Sequence, residues 1–175
     1  MSTTASVPDP HRQQQQYWQA MTVLKTDALY IHLYRDALAK WVTGLAALKA
    51  VASCGGIAAW AVWRQFAFVW GAIIAASQLT DALKDVFPFS KKHRAACEYG
   101  MTLDSLFIDV QLDWESIYSG RYSDDEIMKL LHQLRKLQLD AENRHFPDGL
   151  AKRPLLLERA KKEAEDYFRT SYGVK

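Results

Sequence analysis

The chain has little of what most enzymatic chemistry is built from. Only two of its 175 residues are cysteines, Cys54 and Cys97. One falls in an apolar stretch and the other on an expected water-facing helix, an arrangement that argues against a native disulfide and fits a reducing compartment. There is no Gly-rich phosphate loop, no G-x-S-x-G and no H-E-x-x-H, so the common catalytic signatures are absent and neither an enzyme activity nor a cofactor is expected. No segment reads as a convincing strand, and no internal repeat occurs. An excess of one charge is missing too: 22 basic and 20 acidic residues leave a formal net charge of +2. With no long basic run, nucleic acid is not expected as a partner.

What the chain does have is apolar material in one place. Its mean hydropathy of -0.22 is that of a largely polar chain, yet between Trp41 and Trp63 only Lys49 carries charge, and after Arg64 the residues from Phe66 to Leu79 are apolar again. At about 1.5 Å per residue each stretch approaches the roughly 30 Å of a bilayer's hydrocarbon core, and so short a connection allows only antiparallel re-entry. The expected element is a two-helix transmembrane hairpin over residues 41–84. A hairpin buried in a soluble helical bundle would also be apolar all round, but it would scatter its aromatics. Here Trp41, Trp60, Trp63, Phe66, Phe68 and Trp70 gather toward the segment ends and the Arg64 turn, as interfacial belt residues do.

Residues 1–16 are polar and do not read as a secretory signal, so the hairpin itself is expected to direct insertion. Lys25, Arg35 and Lys40 precede it and Lys84, Lys91, Lys92 and Arg94 follow, whereas the turn holds only Arg64. The positive-inside rule then puts both termini of a multi-pass membrane protein in the cytoplasm.

The rest of the chain reads as helix. Residues 1–12 are expected to be a disordered leader. From Gln13 the spacing of Tyr17, Met21, Leu24, Ala28, Ile31 and Tyr34 predicts a helix over 13–40 that needs a partner and runs toward the first span. Pro88 breaks the chain, and the region 85–175 follows as a cytoplasmic helical bundle. Ser90 is the expected N-cap of a helix carrying Ala96, Tyr99, Leu103, Leu106, Val110 and Trp114, which ends at Ser119-Gly120. Ser123 and Glu126 form a capping-box pattern ahead of Ile127, Leu130, Leu131, Leu134, Leu137 and Ala141. Pro154 suits the first turn of a last helix through Leu157, Ala160, Ala164 and Phe168 to Gly173.

Two patterns mark the hairpin as a candidate site. Small residues recur at every fourth position: Ala46, Ala50, Cys54 and Ala58 in the first stretch, Ala67, Gly71 and Ala75 in the second. Such stripes let helices approach closely in lipid, within the hairpin or between copies in a homo-oligomer. Lys49, Gln78, Thr80 and Asp81 are the polar groups in or beside the spans, and such groups face protein, a pore or the interface rather than lipid. Lys49 either lines a lumen or snorkels from a span shifted to residues 46–64. Glu142-x-x-His145 is half of a di-metal motif and His93 with Cys97 half of a zinc site, but neither has a second pair, so no metal site is expected.

The order of parts, with Ser90-Lys91-Lys92-His93-Arg94-x-x-Cys97-x-Tyr99 opening a long helix that carries Leu103, Asp104 and Phe107, resembles the SLATT superfamily of bacterial two-transmembrane effectors over residues 15–172. The resemblance implies a homo-oligomer that forms a pore or disrupts the inner membrane in a nucleotide-signalled antiphage or conflict system. It also implies that a nucleotide second messenger or a sensor protein supplies the trigger. The residues alone leave two other readings open: a non-pore membrane scaffold or assembly subunit, and a soluble helical metal-dependent protein.

Overall fold

A computed structural model of the protein describes residues 11–62, 68, 71, 72, 75, 76 and 89–173. Among the described residues there are four long helices and no strand, so the protein is all-α: α1 (Arg12–Val62), α2 (Phe89–Tyr118), α3 (Asp124–His145) and α4 (Pro154–Tyr172). α1 is a single helix of 51 residues. Contacts divide the chain into one unit of Met1–Leu33 with Ala96–Lys175 and a second of Tyr34–Ala95.

The first unit is a four-helix bundle, and its directions follow from which side chains meet. Trp18 packs on Trp114, Lys25 lies over Phe107, and Ile31 and His32 border Gly100, so α1 and α2 run antiparallel. Each of these contacts lies seven residues from the next on both helices, the repeat of a supercoiled pair. α3 returns alongside α1: Gln138 bonds Asp27 near its middle, and His145 at its end reaches Glu98 and Tyr99. α4 starts where the backbone N–H of Arg153 donates to the Tyr30 hydroxyl at 3.0 Å, and ends with Tyr172 against Trp18. The four helices therefore alternate in direction, as the short links from α2 to α3 and from α3 to α4 require of the last three.

Sequence periodicity explains which faces go inside. All six residues of the α1 stripe, Tyr17 to Tyr34, are buried, as are Ala96, Tyr99, Leu103 and Val110 of α2, Ile127, Leu131, Leu134 and Ala141 of α3, and Ala160, Ala164 and Phe168 of α4. Burying a side chain such as Leu24, Ile31 or Leu103 stabilises the bundle by about 1.5–3 kcal/mol each as an upper estimate. Five residues of the expected stripes stay outside the fully buried set, of which Trp114, Leu130 and Leu157 are half-buried. Leu137 of α3 is exposed, and Leu106 of α2 is half-buried while Phe107, one position on, takes the core site.

The boundaries follow local chemistry. α2 begins at Phe89, so Ser90 sits inside its first turn rather than capping it. Gly120 takes a positive φ of 73°, which lets the N–H groups of Gly120 and Arg121 return to the carbonyls of Ile117 and Ser116. At α3 the Glu126 carboxylate accepts from both the backbone N–H and the hydroxyl of Ser123, each at 2.8 Å. Those two bonds hold the Glu126 carboxyl below the usual carboxylate range. Pro154 occupies the first turn of α4, and Gly173 closes it in the left-handed region with its N–H on the Arg169 carbonyl at 3.1 Å.

In the second unit, α1 continues through residues 34–62, and Phe68, Gly71, Ala72, Ala75 and Ala76 are helical. Tyr34 and Leu38 are buried there, while Trp41 is 58% and Phe68 89% exposed. Among the described residues no helix is long and apolar enough to cross a membrane. Much of the hairpin expected over 41–84 lies outside the described residues, as do the side chains at 48, 49 and 51–62.

Candidate functional site

The residues expected to act in the hairpin divide into those the structure describes and those it does not. Ala46 and Ala50 lie on α1 and are exposed. Lys49, Cys54 and Ala58 lie on the same helix, their side chains outside the description, and Ala67, Gln78, Thr80 and Asp81 fall outside the described residues. Gly71 and Ala75 are helical and exposed, and a Cβ built on Gly71 would meet nothing within 4 Å. The described members of both stripes are thus exposed.

The bundle carries a concave feature that the sequence patterns do not anticipate. Where α1 begins and α2 and α4 end, a cleft of about 680 Å³ is lined by His11, Gln14, Gln15, Trp18, Gln19, Trp114, Glu115, Tyr118 and Tyr172. Its floor is a chain of aromatic contacts. Trp18 meets Trp114 at 4.9 Å, Phe168 at 5.1 Å and Tyr172 edge-on at 5.2 Å, and Trp114 continues to Tyr118 at 6.2 Å. Rings at such separations and tilts attract one another beyond the area they bury. The side-chain amide of Gln111 orders the wall by donating to the hydroxyls of Tyr167 at 2.9 Å and Tyr172 at 3.1 Å. The lining supplies ring faces, the amides of Gln14, Gln15 and Gln19, the His11 imidazole and the Glu115 carboxylate, a largely aromatic wall with a few polar groups such as ligand clefts have.

Polar groups along the α1–α2 seam are paired. The Tyr17 hydroxyl donates to Asp113 at 3.1 Å, and burial together with that carboxylate pushes the phenol well above its ordinary range. Lys25 lies 4.6 Å from the Phe107 ring centre and 4.3 Å from that of Tyr167, a half-buried cation between two rings. Burial lowers its pKa, with Asp104 opposing the shift. His32 Nε2 lies 2.9 Å from Asp104 Oδ2. Between Lys25 and His32 on α1, Asp27 accepts from Gln138 at 2.9 Å and from Lys152 at 2.5 Å, joining three parts of the bundle.

Of the half-motif Glu142-x-x-His145, the imidazole is engaged by neighbours on α2. His145 sits beside Tyr99 with its Nδ1 3.7 Å from Glu98, so it turns toward α2. Among the described residues no group of three or more His, Cys, Asp or Glu is placed to hold a metal ion.

Comparison with known proteins adds no assignment, because no protein-family model, curated protein or solved structure matches the chain.

Proposed function

We propose that the protein is a two-transmembrane effector of the SLATT kind. In this reading residues 41–84 anchor it in the bacterial inner membrane with both termini cytoplasmic, and copies oligomerise through the small-residue stripes to open a pore or disrupt the bilayer. A partner that senses a nucleotide second messenger supplies the trigger, and Lys49, Gln78, Thr80 and Asp81 are the polar groups that would meet permeating ions. One observation carries the reading: α1 passes without a break from the packed bundle into the apolar stretch, where Trp41, Ala46, Ala50, Phe68, Gly71 and Ala75 stay exposed. A water-facing protein gains by covering such residues, and lipid or a neighbouring copy covers them here.

The test has two stages. After alkaline extraction of membranes the protein should stay in the pellet, and a reporter cysteine replacing Arg64, in a chain lacking Cys54 and Cys97, should react with an impermeant reagent from outside while reporters at residues 10 and 170 do not. Triggered or overproduced protein should then depolarise the cell, and Lys49→Leu should change ion selectivity or toxicity at equal membrane abundance. Extraction into the supernatant would remove the membrane reading. Intact potential with abundant inserted protein would leave the anchored scaffold.

A further inference from the structure

The bundle leaves two helix faces unpartnered, and they are opposite in charge. On α2, Met101, Ile108 and Leu112 are each at least 60% exposed. Their spacing puts them on one face. From residue 95 to residue 118 the helix carries Glu98, Asp104, Asp109, Asp113 and Glu115 and no Lys or Arg. Asp104 and Asp113 serve the α1 seam, whereas Asp109 and Glu115 are exposed beside the apolar face.

On α3 the signs reverse. Met128 and Leu139 are 43% and 58% exposed, with His132 and Arg135 between them on the same face. From residue 127 to residue 139 there is no acid, while Lys129, Arg135 and Lys136 are all exposed. Met101 and Leu112 stand eleven residues apart, as do Met128 and Leu139, so about three turns separate the apolar ends on each helix. Among the described residues no ion pair joins Asp109 or Glu115 to a base of α3. The two blocks of charge are therefore not spent on each other inside one copy.

We propose that the protein self-associates through its bundle, the acid-rimmed apolar face of α2 in one copy docking on the base-rimmed apolar face of α3 in a second. Unlike charges flanking matched apolar contacts select this pairing, because α2 on α2 or α3 on α3 would oppose like charges. A contact between two different faces repeats around a closed ring, runs on as an open filament, or is made twice across a two-fold axis. It adds a bundle contact to the oligomerisation proposed above, and it stands without the membrane reading because it lies wholly inside the first unit.

The experiment uses the full chain in cells, expressed as two differently tagged copies, with the photoreactive residue p-benzoylphenylalanine replacing Ile108. Irradiation should give a covalent dimer of both tags, with the adduct mapped to residues 128–139 of the other copy. Arg135→Glu with Lys136→Glu should lower the yield about tenfold or more, and adding Asp109→Lys with Glu115→Lys should restore it by exchanging the signs. All four positions are exposed, and unchanged far-ultraviolet dichroism of each variant establishes that the bundle is folded. An adduct to another region, to a different protein or to nothing overturns the interface, as does a sign-exchanged chain that yields no more dimer than its parents. Retention of the same chains in the alkaline pellet keeps such a failure separate from the membrane reading.

Discussion

Trp18 of α1 and Trp114 of α2 meet with ring centres 4.9 Å apart and planes inclined at 52°. Trp18 also touches Phe168 and Tyr172 of α4, so one indole joins three helices at the end of the bundle where the cleft opens. Replacing it by alanine should cost about 3 kcal/mol, whereas Trp114→Phe, which keeps a ring in place, should cost far less. Denaturant titration followed by dichroism measures both. Equal, small losses would show that the aromatic end contributes little to stability.

Alkali should weaken the bundle through two phenols. Burial, followed by Asp113 at Tyr17 and Glu142 at Tyr99, raises both above the ordinary tyrosine range. In the unfolded chain they ionise near about pH 10. The stabilisation from keeping them neutral is therefore whole below that pH and is lost as the pH rises from there toward their raised folded values. The unfolding midpoint of the natural chain should fall more steeply above about pH 10 than that of Tyr17→Phe with Tyr99→Phe. Near neutral pH, Tyr17→Phe alone should cost about 1 kcal/mol for the lost bond to Asp113.

Gly100 sits where α1 and α2 come close. A Cβ there would lie 3.4 Å from His32 Cε1 and 3.4 Å from Ile31 Cγ2, contact that a methyl group just fits. Gly100→Ala should thus hold or raise stability by up to about 1 kcal/mol through helix propensity. Gly100→Leu should lower it by about 1–3 kcal/mol by overpacking. Thermal melts of the two variants check the contrast, and a large loss in the alanine variant would mean that the seam has no slack.

Gly71 has open space around it, so added bulk there should leave the monomer's fold intact. Gly71→Leu and Ala75→Leu should nevertheless weaken self-association more than Ile74→Leu does, because side chains on a small-residue stripe hold neighbouring helices apart. Cross-linked oligomer in mild detergent is the readout. Equal oligomer in all three variants would remove the stripe from the assembly.

Much of the bundle was legible in the sequence because its signals are local. The six-residue stripe of α1, the Ser123–Glu126 pair, Pro154 and Gly173 each state where a helix lies or stops, and the structure uses them so. The stripe's partner was not legible, since Tyr17 and Asp113 are brought together only by the fold of the intervening chain. The cleft escaped for the same reason. Trp18 sits beside the stripe and looks like ordinary surface until Trp114 and Tyr172 arrive from two other helices. The exposed rows on α2 and α3 are quieter still, because a pattern of apolar residues announces a face without saying whether the chain itself covers it.

The seven-residue rhythm of the α1–α2 seam constrains how that pair can slide. Its successive layers are unlike: indole on indole at Trp18 and Trp114, ammonium on a ring at Lys25 and Phe107, imidazole over a glycine at His32 and Gly100. A slip by one repeat one way would set Trp18 on Phe107 and leave Lys25 over Gly100, with no α2 ring beneath its charge. A slip the other way would keep a ring under Lys25, at Trp114, but would carry Trp18 past Tyr118, the end of α2, and lose the indole pair. A regular seam alone would tolerate such a shift, but this one matches in a single alignment. Pistoning of α1 along α2 by a repeat is therefore closed to the bundle, and any displacement it passes on must come from rotation of the helices or from parting them.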